Sequence, residues 1–125
     1  MLDVHISDFW KDCAAILLIG VRNFPKQQVL YVEDIAGPDE TDEFGLHSSR
    51  HLAALGAIQW LSDEGFIRYS LLNKQDSVDD FVITAKAFSR LLMTENNQPA
   101  FQTLEQAFFA QNSVWLENLV RSLLL

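Results

Sequence analysis

Residues 29–92 constrain the fold more than any other stretch. They read as a short apolar run ending in VEDIAG, an acidic loop, a long helix (SSRHLAALGAIQWLSDEGFI), a polar ribbon, and a strand-to-helix step, FVITAKAFSRLL. A helical period sits between turn signals and is followed by two short β-prone runs, which predicts a mainly α chain with one small β-hairpin. The hairpin strands are expected over 66–70 and 81–84, with a polar turn over 71–80. Thr84 then caps a helix over 85–93.

The long helix is expected over 48–64, capped by His47 or Ser48 and ended by Gly65. At 100° per residue one face gathers His51, Ala54, Leu55, Ala57, Ile58 and Leu61, an inward set. The other gathers Ser49, Leu52, Ala53, Gly56, Gln59, Trp60 and Asp63, with Arg50 at its flank.

The flanks are helical too. A first helix is expected over 7–23, capped by Ser7 or Asp8 and stopped by Pro25. Every residue from 14 to 19 is apolar, which suits a helix at the centre of a core. Residues 26–36 are ambiguous. VLYV is β-prone, but Val29, Val32 and Ile35 recur every third residue and favour a helix ended by Gly37. A polar break over 95–98 precedes a helix begun by Pro99, and Asn112–Ser113 interrupts or restarts it. Leu116, Leu119, Val120, Leu123 and Leu124 then form a stripe at i, i+3, i+4, i+7, i+8. The chain divides into a domain over 1–95 and a helical extension over 96–125, packed on it or forming a dimer seam. An uncovered stripe of this kind would be a large apolar patch, so a homodimer through those five residues is expected.

Charge narrows the partners. Nine Lys and Arg face seventeen Asp and Glu, a net charge of −8. Glu33, Asp34, Asp39, Glu40, Asp42 and Glu43 follow one another with no base between them. Nucleic-acid binding draws on neutralised phosphates and leaves a basic footprint, which this balance opposes. The single Cys13 has no disulfide partner in the chain. The longest apolar run, 13–21, falls well short of the roughly 20 residues of a membrane span. A cytoplasmic protein without a membrane partner is expected.

Two segments carry a resemblance. IQWLSDEGFIRY resembles the end of a winged-helix recognition helix running into the first wing strand. FVITAKAFSRLL resembles the returning strand and next helix, where many bacterial regulators read x-L-T-x-x-G-x-x-x-L. Ile83 and Thr84 match, and Ala87 stands where Gly is usual. The resemblance implies a winged helix-turn-helix domain with a C-terminal helical extension. It also implies a DNA-binding transcriptional regulator whose helix over 48–64 enters the major groove, with wing residues near Asn73 and Lys74 on the backbone. The binding residues would be Ser49, Arg50, Leu52, Ala53, Gly56, Gln59, Trp60 and Lys74.

The residues themselves leave a second reading open. Base edges are read by Arg, Lys, Asn or Gln, and this face offers more Leu, Ala and Gly than those. A DNA regulator would need a cluster drawn from Arg50, Arg68, Lys74, Lys86 and Arg90. Leu52, Gly56 and Trp60, at i, i+4, i+8, would instead make a protein-docking stripe anchored by Trp60, unless the first or last helix covers them. His47 and His51 stand at the spacing that places two imidazoles on one ion, but neither a third His nor a Cys is nearby in the sequence. The pair is therefore assigned to capping, and no metal or cofactor is expected. No phosphate loop or nucleophile motif points to an enzyme.

Overall fold

The computed structural model describes residues 2–125, with side chains from His5 onward. Helix α1 (Leu2–Asn23) starts earlier than expected. Residues 2–6 contain no Gly or Pro to break it, so Ser7 and Asp8 lie inside the helix and do not cap it. The apolar middle of α1 is central: Cys13, Ala14, Ile16, Leu17 and Leu18 are buried, and the helix packs on both sides of the molecule. Burial also pushes the Cys13 thiol well above its ordinary value. In native protein at neutral pH that thiol should therefore resist a maleimide, and one equivalent should react after unfolding in guanidinium. Rapid labelling of the native chain would contradict the central position of α1.

The helix expected over 26–36 is corrected. Strand β1 (Gln28–Tyr31) is followed by the single turn α2 (Glu33–Ala36), which ends at Gly37 with φ +89°. Val29 and Tyr31 are exposed while Leu30 and Val32 are buried, the two-residue alternation of a strand. The three-residue recurrence of apolar side chains was coincidental.

Helix α3 (Ser49–Asp63) matches its expected limits. Ser48 accepts a hydrogen bond from the His51 N–H, and Gly65 lies just beyond the end with φ +81°. Its buried residues are His51, Ala54, Leu55, Ala57, Ile58 and Leu61, the inward set given by the helical period.

The β element is larger than a simple hairpin. Strands β2 (Ile67–Arg68), β3 (Leu71–Asn73) and β4 (Ser77–Ile83) follow α3, and the sheet order is β1-β4-β2, with β3 also on β4, all antiparallel. The long polar turn shrinks to residues 74–76, where Lys74 and Gln75 take positive φ. Leu72 and Val78, two apolar exceptions in that polar stretch, pair across the ladder. Strand β4 lies so close to α1 that a Cβ added to Gly20 would fall 2.3 Å from Cγ2 of Ile83 and 3.2 Å from the Phe81 ring.

Helix α4 (Ala85–Leu92) is capped by Thr84, as expected. The polar break is a small hairpin of β5 (Thr94–Glu95) and β6 (Gln98–Pro99), turned through Asn96 and Asn97 at positive φ. Asparagine tolerates that region. Helix α5 (Ala100–Phe109) begins one residue after Pro99, and Asn112 caps α6 (Ser113–Leu124) through the Trp115 N–H.

The leucine stripe is corrected as well. Leu116, Leu119, Val120, Leu123 and Leu124 are all 9% exposed or less within one chain, because α6 folds back onto α1 and α5. They are core residues, so the folded single chain does not offer them as a dimer seam, and the extension takes the packed placement. The patch that argued for a homodimer is covered internally. One apolar cluster runs from Cys13 and Leu17 through Phe66 and Phe81 to Leu104 and Val120, so residues 96–125 share the core of 1–95. No helix among the described residues is long and apolar enough to cross a membrane.

Candidate functional site

Helix α3 presents two groups of candidate residues, one on its outward face and one at its N-terminus. On the outward face Ser49, Leu52 and Gln59 are exposed, while Ala53, Gly56 and Trp60 are half-buried. A Cβ on Gly56 would meet nothing within 4 Å, so the middle of this face is open. Its far end is not. The Trp60 ring sits 5.2 Å from Phe9 of α1 in an edge-to-face contact and stacks at 6.5 Å on Phe66. Trp60 is therefore packed against the core, and the expected stripe is open at Leu52 and Gly56 but closed at Trp60.

Arg50 turns inward. Its Nη1 donates to Oδ2 of Asp12 at 2.8 Å, and its Nη2 donates to Oδ1 of the same carboxylate. The Asp12 side chain is 2% exposed and that of Arg50 35%. Burial raises the Asp12 carboxyl above its usual range, against the pull of Arg50.

The other bases are divided in the same way. Lys86 donates to the Glu64 carbonyl at 3.0 Å and lies 4.3 Å over the Phe66 ring. Arg90 donates to the Leu123 carbonyl at 2.8 Å beside the same ring. Arg68 and Lys74 are exposed on the β2–β4 ribbon. The basic cluster that DNA reading requires is thus mostly engaged with the protein itself.

The chain matches no family model, no curated protein and no solved structure among those compared.

The acidic loop before α3 is ordered. Asp42 Oδ1 accepts from the N–H groups of Phe44 and Leu46, both at 2.9 Å. That turn holds Phe44 79% exposed and Leu46 63% exposed. The loop also sends one acid inward. Asp39 Oδ1 accepts from Ser48 Oγ at 2.5 Å, and its Oδ2 lies 2.8 Å from His47 Nδ1. The Ser48 hydroxyl, then His47, hold the Asp39 carboxyl below its usual range.

The rings of His47 and His51 stack 3.9 Å apart and 7° from parallel. His47 Nε2 lies 3.1 Å from Asp76 Oδ1, and His51 Nε2 donates to the Gln75 carbonyl at 2.7 Å. His51 Nδ1 is buried without a hydrogen-bond partner, 3.6 Å from Asp39 Oδ2. The histidine spacing was legible in the sequence, and Ser48 is the cap. The third donor was not: Asp39 reads as one more acid of a solvated loop until the chain folds back over the start of α3.

Proposed function

We propose that this chain is a non-enzymatic winged-helix domain that works in the cytoplasm as a protein-docking module and does not read DNA. The winged-helix assignment is supported by the succession α1, β1, α2, α3, β2–β4 and by the sheet order β1-β4-β2. The docking assignment rests chiefly on Arg50. The one base beside the outward face of α3 is bound in a two-pronged pair to buried Asp12, and a guanidinium held that way is not free for base edges or phosphate. The net charge of −8 works in the same direction. A cytoplasmic setting fits a lone, buried cysteine.

Two exposed apolar features are offered to a partner: Leu52 beside the open position of Gly56 on α3, and Phe44 and Leu46 in the loop that also carries Glu40, Asp42 and Glu43. A protein with an apolar knob and a basic rim fits that chemistry.

The same topology suits a DNA-binding regulator, and one titration separates the two. In fluorescence anisotropy with random duplex DNA at about 50 mM salt, where electrostatic binding is strong, no binding is expected. Micromolar binding that disappears by about 200 mM salt would restore the regulator reading and assign phosphate contacts to Arg68 and Lys74.

A further inference from the structure

We propose that Asp39, His47 and His51 form a binding site for one divalent transition-metal ion of the Zn2+ type, held by Asp39 Oδ2 and by Nδ1 of both imidazoles. None of these three residues belongs to the proposed docking set, and the assignment does not rest on the docking reading or on whether the domain binds DNA.

The donor atoms of these three residues lie within 4.8 Å of one another. The strongest pointer to a ligand is His51. Its side chain is 1% exposed, and a buried ring nitrogen with no partner is unfavourable unless something occupies its lone pair. A carbonyl only accepts, so Nε2 carries a hydrogen toward Gln75, and Nδ1, buried with no hydrogen-bond partner, is the ring atom on the Asp39 side.

His47 differs in one respect: its Nδ1 is already hydrogen-bonded to Asp39 Oδ2 at 2.8 Å, and an ion would take the place of the shared proton. Its Nε2 faces the Asp76 carboxylate, which leaves Nδ1 on the Asp39 side. Metal-binding histidines characteristically give their second N–H to a carbonyl or carboxylate in this way. Ser48 anchors the other oxygen of Asp39, which fixes the third donor.

Two imidazoles and one carboxylate suit Zn2+ and its first-row neighbours, whereas Ca2+ and Mg2+ prefer all-oxygen sets. Asp39 and Asp76 together balance a double positive charge. The stacked rings place the two lone pairs side by side and not converging, so His47 must swing to close the site. It is the more exposed of the two histidine side chains, at 14% against 1%. Three protein donors leave a further position for water. A bound ion would tie the acidic loop to the start of α3 and, through Gln75 and Asp76, to the tip of the ribbon.

The test is calorimetric titration of the untagged, chelator-treated full chain with Zn2+, alongside thermal melts and the visible spectrum with Co2+. One ion per chain, a raised Tm and a Co2+ band typical of nitrogen ligation are expected. Asp39→Asn and His47→Ala should each weaken binding at least about tenfold. His47 is half-buried, so its alanine variant should still fold and keeps the test decisive if Asp39→Asn does not. No saturable uptake by the wild-type chain would overturn the assignment. So would several ions per chain bound equally well by His47→Ala, which would mark loose association with the acidic loop.

Discussion

Gly20→Ala should destabilise the protein by about 1–3 kcal/mol, the range for an extra methyl forced into a packed core. Helix propensity predicts the opposite sign. Replacing a mid-helix glycine with alanine ordinarily stabilises by roughly 0.5–1 kcal/mol. Packing is expected to win because the new Cβ would stand 2.3 Å from Cγ2 of Ile83, with the Phe81 ring also close. Ile83 is 1% exposed and Phe81 fully buried, so neither has a free direction to move. A β-branched side chain is also stiff at χ1. The cause can be isolated with Ile83→Ala, which by itself should cost about 2–5 kcal/mol as a cavity. In the double variant the two losses should add to less than their sum, because the cavity receives the new methyl. Urea unfolding of the four proteins measures this. A Gly20→Ala chain more stable than wild type would show that α1 does not approach β4 as described.

Arg50→Ala should cost about 2–4 kcal/mol near neutral pH, since it leaves the Asp12 carboxylate buried without its cation. The lower part of that range is favoured because a third of the Arg50 side chain remains in water. The loss should depend on pH in a definite direction. The Asp12 carboxyl is already raised in the folded chain, so the native state holds its proton more tightly than the unfolded state does. Its protonation therefore favours folding below the ordinary carboxylate range, and that contribution fades as pH rises through the raised folded value. Without the Arg50 guanidinium that value rises further. The deficit of Arg50→Ala should consequently narrow in mildly acidic buffer, where the lone carboxyl takes up a proton. Asp12→Asn combined with Arg50→Ala should recover part of the loss at neutral pH. A deficit that widened on acidification would mean that Asp12 is not the group left exposed to the change.

What could be read from the sequence follows from how far each signal reaches along the chain. The inward face of α3, the Thr84 cap and the helix restart at Asn112 depend on residues within two turns of one another, and all were legible. Strand β1 was not, because its partner is β4, about fifty residues later, and an isolated VLYV gives no sign of that pairing. The stripe from Leu116 to Leu124 announced a buried face but not what buries it, and α1 of the same chain does so. The candidate sites divide likewise. The i, i+4 histidines were visible, while Asp39, Gln75 and Asp76 arrive from a loop and from a turn. Arg50 looked like a base for DNA because Asp12, 38 residues away, gave no local hint of holding it.

The packing of α6 against α1 bears on how the molecule is made. A ribosome releases α1 well before α6, so the central helix must wait for α5 and α6 before its final cover arrives. Until then Leu17 and its neighbours face solvent or a chaperone, and β4, which organises the sheet against Gly20, is also a late arrival. The first helix is therefore a seat prepared early, and its cover is complete only when α6 closes on it.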